Sequence, residues 1–242
     1  MSEGVKLLAM TPQPPASADA PLPSEATEAA PKKWNWLTWV GIILAIGCVF
    51  WLTQPHPRYR KKADQTEAVN NARQIGLALS KFETEYGCFP DEGTISKVKA
   101  KNSTDFHLAT KTSNEFFRQL IAAKIAPTEQ MFYAKVGSTR KPDGIITVAE
   151  SLKKSECGFT YLSGLSTTGS LSRPLVVTPL IPGTDRFDPK PFQGKAVILR
   201  IDNSVTSLPI RKDGHVWIDG MNFLDPSHPI WEGKPPVIAW PE

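Results

Sequence analysis

Cysteine and histidine are scarce in this chain of 242 residues, with three of one and four of the other. No C-x-x-C pair and no Cys/His metal spacing occurs, so a structural zinc site has no basis. His56, His107, His215 and His228 are likewise spaced without a ligand pattern. Nothing matches G-x-x-x-x-G-K-[ST] or G-x-G-x-x-G, which removes the sequence grounds for a nucleotide site. The net charge of +4 is spread along the chain, leaving no nucleic-acid footprint. Gly164-Leu165-Ser166-Thr167-Thr168-Gly169 is one residue too long for a nucleophile elbow, and Ser166 reads as a loop serine.

A further absence is positive information. No charged residue falls between Trp34 and Thr53, in WNWLTWVGIILAIGCVFWLT. About twenty residues at 1.5 Å rise make a helix of roughly 30 Å, the thickness of a bilayer's hydrocarbon core. Lys32 and Lys33 precede the run, and Arg58, Arg60, Lys61 and Lys62 follow it. Trp34, Trp36 and Trp51 stand near its ends, where amphipathic rings favour the membrane interface. More than thirty residues come first and no A-x-A-like site ends the run, which argues against a cleaved signal peptide. The run is expected to be a single transmembrane helix over 34–53.

The flanks divide the rest. Residues 1–33, rich in Pro, Ala, Ser, Thr and Glu, lack apolar periodicity and are expected to be a disordered tail. The patch Val5 to Met10 within them reads as its start. Residues 54–60 form a linker in which Pro55 and Pro57 break the helix. Residues 61–242 suffice for one domain with a hydrophobic core.

That domain opens with a helix from about Lys61. Ala68, Ala72, Ile75, Leu79, Phe82 and Tyr86 recur at spacings of four and three. Ile75, Leu79, Phe82 and Tyr86 are expected to pack this helix on a sheet. Gly87 ends it as a C′ glycine, and Pro90 forbids its resumption. Thr112 to Glu115 has capping-box spacing ahead of FFRQLIAAKI, and Thr147 to Glu150 repeats the pattern before SLKK. Strands are expected at Phe159–Leu162, Leu175–Thr178, Ala196–Ile201, Val205–Ile210 and His215–Ile218. Tight turns at Asp202-Asn203-Ser204 and Lys212-Asp213-Gly214 make the last three an antiparallel meander. The proline-rich tail from Asp219 is expected to wrap irregularly over the sheet, with Trp217, Phe223, Trp231 and Trp240 as packing residues. The fold class is α+β.

A membrane helix, then an amphipathic helix, then a small antiparallel sheet resembles type IV pilins and type II secretion pseudopilins. EAVNNARQIGLALSKFETEYGCFPD (67–91) looks like the helix that leads into a pseudopilin head and ends in Tyr-Gly-x-Phe/Tyr-Pro. GKAVILRIDNSVTSLPI (194–210) is similar to a strand-turn-strand of the pilin-like proteins abundant in planctomycetes and verrucomicrobia. Asn203 there replaces the usual glycine of an Asp-Gly-Ser-Val turn. The chain departs from the pattern at the membrane entry. Lys33-Trp34 stands where a Gly-Phe-type prepilin peptidase site would lie, and the run carries no Glu.

The resemblance implies a non-enzymatic protein of a bacterial inner membrane with its head outside, in the periplasm of a two-membrane cell. Its work would be assembly or interaction in secretion, pilus, adhesion or scaffolding structures. Its partners would be the lipid bilayer and envelope proteins, and an oligomer is open. The larger Lys/Arg count after the run points the other way, to a cytoplasmic domain. A membrane-tethered enzyme or ligand-binding domain, and a cytoplasmic-facing adaptor, are the alternatives. Outside the cytoplasm a Cys88–Cys157 disulfide is allowed; two unpaired thiols are equally compatible with the sequence. Pseudopilins often hold calcium in a late loop, which makes Asp213, Asp219 and Asp225 candidate ligands, although such aspartates also shape turns.

Overall fold

The computed structural model describes residues 35–53, 57–148 and 150–242. The chain divides into two units, Met1–Gln54 and Pro55–Glu242. The expected tail 1–33 lies outside the described residues, as do His56 and the first part of the linker.

In the first unit α1 runs over Trp36–Thr53. It takes up all but two residues of the expected span, and its 18 residues reach about 27 Å. Among the described residues no helix is long and apolar enough to cross a membrane.

The second unit opens with α2, Pro57–Tyr86. The expected linker is therefore shorter, because proline is well accommodated at a helix's first position, where its missing N–H costs nothing. Ala68, Ala72, Ile75, Leu79, Phe82 and Tyr86 are all buried, as their spacing requires. Gly87 ends the helix at φ +87°, its N–H bonded to Glu83 O at 2.7 Å.

Pro90 does not keep the chain out of a helix for long. Asp91 caps α3, Glu92–Asn102, in a reciprocal capping box with Thr94. The same device starts α4, Ser113–Ala122, from Thr112 and Glu115. Gln119 of α4 donates to Asp91 O at 3.0 Å and accepts from Thr94 Oγ1 at 2.6 Å, joining α4 to the N-terminal cap of α3. The second expected helix start, at Thr147, yields only a turn. Leu152 has φ +47° and its side chain is wholly buried, so tertiary packing overrides the local signal there.

Among the described residues seven strands follow: β1 Thr160–Ser163, β2 Pro174–Thr178, β3 Lys195–Arg200, β4 Val205–Pro209, β5 Trp217–Ile218, β6 Met221–Asn222 and β7 Val237–Ala239. Five form an antiparallel sheet in the order β4-β3-β2-β1-β7. The expected hairpin is β3–β4, in register with Ile198 opposite Thr206. The expected third strand of the meander is not in it, since β5 pairs with β6 in a separate two-stranded sheet. The tail also differs from expectation: β7 adds an edge to the main sheet beside β1.

Every residue of β1 and β2 is buried, so neither face of the sheet's centre meets solvent. α2 packs across β3 and β4 and against the 3-10 turn Glu129–Phe132, while α4 packs on β1. Phe116 and Phe117 of α4 meet the Tyr161 ring at 4.9 and 5.7 Å between centroids. Loop aromatics complete the core, with Phe187, Phe223 and Trp231 in a chain of tilted ring contacts. Trp217 is the exception among the expected packing residues, being exposed and covered by the Arg211 guanidinium at 3.9 Å.

Candidate functional site

Three segments of the connection between α4 and β1 bring carboxylates together. The first is the 3-10 turn, whose start is capped by Thr128 accepting from Gln130 N–H at 3.2 Å. Asn71 of α2 fixes this turn by donating to Gln130 O at 3.1 Å and Tyr133 O at 2.8 Å. Its first residue, Glu129, is wholly buried. The second is the loop carrying Asp143, and the third is the segment Ser151 to Glu156 ahead of β1. Arg140 N–H donates to Ser155 O at 2.9 Å and draws the last two together.

α4 clamps the third segment by its carbonyls. Arg118 donates to Ser151 O at 3.0 Å and Leu152 O at 2.9 Å, and Asn114 donates to Lys153 O at 3.0 Å. With its carbonyl held, Leu152 turns its N–H to Glu129 Oε1. Glu156, buried, accepts from Lys153 N–H at 2.7 Å and faces Arg140 Nη2 at 3.6 Å. Exposed Asp143 pairs with Lys153 Nζ at 2.8 Å. Oxygens of Glu129, Asp143 and Glu156 lie within 4.8 Å of one another.

Burial pushes the Glu129 carboxyl above the usual carboxylate range. The Leu152 N–H, and less strongly the Gly144 N–H, work against this, while Glu156 and Asp143 add repulsion. The Lys153 ammonium beside Asp143 holds that carboxyl below its usual range, helped by the Ile145 N–H. Sequence reasoning did not single out any of the three acids. No two of them share a local motif, and only the folding of the connection between α4 and β1 shows the cluster.

The expected calcium ligands do not converge. Asp213 accepts from His215 N–H at 3.0 Å, and Asp225 from Ser227 N–H at 2.8 Å and Ser227 Oγ at 2.6 Å. Asp219, at φ +49°, makes the β5–β6 turn with Gly220. Each shapes its own turn. The two candidate disulfide partners are free thiols. Cys157 is wholly buried, donating to Phe159 O at 3.4 Å, whereas Cys88 is half-buried and faces Asp91 at 3.7 Å. Burial pushes the Cys157 thiol up to about 12. Ser166 pairs with Thr168 in the loop, Oγ to Oγ1 at 2.7 Å. His107 is exposed in a loop.

An open cleft of about 720 Å³ is lined by charged residues, Arg200, Asp202, Asp219 and Glu232, together with His228 and the apolar Ile218, Met221 and Ile230. His228 is occupied in holding the fold, its Nδ1 accepting from Ile230 N–H at 3.0 Å and its Nε2 set 2.9 Å from Ile218 O. A smaller cavity of about 220 Å³, mostly apolar, lies between Val136, Thr139, Cys157, Leu180 and Pro241. Compared with known proteins, the chain matches no family model, no curated protein and no solved structure.

Proposed function

We propose that this chain is a membrane-anchored protein of a bacterial envelope, presenting a pilin-like α+β head outside the cytoplasm for assembly or interaction. The observation that carries the reading is the surface of α1. Trp36, Leu37, Ile43, Leu44, Ile46, Val49, Phe50 and Trp51 are all exposed, and the helix has no charged residue on any side. A helix apolar all round needs lipid or a partner around it. The described helix stops about 3 Å short of a typical hydrocarbon core, the uncharged run continues to Trp34 in the sequence, and a bilayer thins to meet a short span.

The pilin-like part of the reading draws on α2 and the hairpin. The helix lays its C-terminal stripe on an antiparallel sheet, and the Asp202-Asn203-Ser204 turn meets it at Gly76. Assembly, rather than chemistry, suits a head whose buried histidine and thiol are committed to internal contacts. Orientation is taken from the resemblance, against the Lys/Arg count of the flanks.

The test is carbonate extraction of membranes from expressing cells, followed by proteolysis of spheroplasts. The head should stay with the carbonate-washed membranes and be digested from outside, and cross-linking in intact membranes should give adducts larger than the monomer. Release by carbonate would remove the anchor, and protection until lysis would reverse the topology. Monomer alone after cross-linking would overturn the assembly role.

A further inference from the structure

We propose that Glu129, Asp143 and Glu156 form a binding site for a divalent cation that prefers oxygen ligands, and that the ion is calcium. The spacing is one that a single divalent ion with oxygen ligands can span. Calcium holds oxygens at 2.3–2.6 Å, so two ligands on opposite sides lie about 5 Å apart. The three carboxylates here offer oxygens within 4.8 Å of one another.

A second observation singles out a ligand. Glu129 is 0% exposed, and among the described residues its Oε2 has no hydrogen-bond partner of good geometry, while Oε1 takes the Leu152 N–H and the Gly144 N–H lies near the carboxyl. A buried carboxylate oxygen without a partner is costly unless something neutralises it. Ser151, next to Leu152 and 4% exposed, has a hydroxyl that is also unpartnered among the described residues. The cations already present, Lys153 and Arg140, face Asp143 and Glu156, not Glu129. Lys153 is also shared with Glu150, at 3.7 Å.

The donor set selects among metals. All three side chains offer carboxylate oxygens, with no imidazole, which suits calcium over zinc or copper. The nearest thiol in sequence, Cys157, is engaged with Phe159 O and Ser113. A bound ion would tie the 3-10 turn, the Asp143 loop and the segment before β1 into one unit. That loop carries Ile145, Ile146 and Val148 exposed beside the site, so the ion would also fix an apolar surface. The inference does not depend on which side of a membrane the head occupies.

The experiment is thermal unfolding of the full chain in detergent after EGTA treatment, with calcium chloride or magnesium chloride added back at equal concentration. Calcium at a large excess over its dissociation constant should raise Tm by about 5 °C or more, and magnesium should do much less. Asp143→Asn, on an exposed residue, should fold and need at least about tenfold more calcium for the same shift. Glu129→Gln should abolish the response, while Asp225→Asn should leave it intact. No shift in the wild-type chain, an equal shift with magnesium, or an undiminished response in Asp143→Asn would overturn the proposal.

Discussion

Asn203 of the β3–β4 turn sits in the space that a side chain at Gly76 of α2 would need. A Cβ on Gly76 would lie 1.8 Å from Asn203 Oδ1 and 2.9 Å from Leu199 Cδ1. The turn residue has φ +64°, and among the described residues its buried Oδ1 has no hydrogen-bond partner. Close approach of helix to hairpin therefore rests on the missing side chain of one residue and the left-handed tolerance of the other. Gly76→Ala should cost about 1–3 kcal/mol by overpacking, although alanine is the better helix former. Most of that cost should vanish when Asn203→Gly is present. Urea unfolding of the four chains in a double-mutant cycle checks the coupling, and simple additivity would mean the contact carries no energy.

The two sides of α2 should answer differently to truncation. Phe82 is wholly buried and stacked on Tyr86 with centroids 4.5 Å apart, whereas Leu77 is 62% exposed. Phe82→Ala should lose about 3–5 kcal/mol, and Leu77→Ala no more than about 0.5 kcal/mol. Denaturant midpoints measured by tryptophan fluorescence would show it. Equal losses would put the packed stripe on the wrong side of the helix.

Cys157 should be inert to alkylation while the head is folded. With its thiol pushed up to about 12 by burial, the thiolate fraction at pH 8 is about a thousandfold below that of an ordinary cysteine, and access is blocked as well. Mass-spectrometric mapping after iodoacetamide should find Cys157 modified only with denaturant present. Modification at a rate matching Cys88 in native protein would contradict the buried placement.

Asp225 gives a signed pH effect. Its carboxyl lies below the usual carboxylate range because the Ser227 hydroxyl and then the Ser227 N–H bond it. A depressed acid stabilises the fold above the unfolded carboxylate range and loses that contribution as pH falls through its folded value. Ser227→Ala should raise the Asp225 pKa toward normal and weaken the acid dependence contributed by this turn. Carboxyl-carbon NMR titration reads the shift directly, and an unmoved Asp225 would mean the hydroxyl does not favour its charged form.

Much of the fold was legible because it follows short-range rules. The α2 stripe, the Gly87 stop, the Thr112 cap of α4 and the β3–β4 turn each depend on residues within one or two turns of one another. The α3 cap was present in Asp91 and Thr94 but was obscured by Pro90, which restricts the residue before it more than the one after. The third strand of the expected meander failed because tight-turn residues specify a reversal, not which strand accepts the pairing.

What the sequence alone determined is where charge is absent, where helices begin and stop, and which face of α2 is apolar. Those are properties of neighbours along the chain. Only the tertiary structure decided that β7 completes the sheet beside β1, that Cys88 and Cys157 remain apart, and that Asp213, Asp219 and Asp225 stay separate. The same holds for the meeting of Glu129, Asp143 and Glu156, which α4 arranges by holding carbonyls of a segment more than thirty residues further on. Local patterns set what each segment can form. Which distant segments meet is settled by burying one shared core, a free energy that belongs to the whole chain.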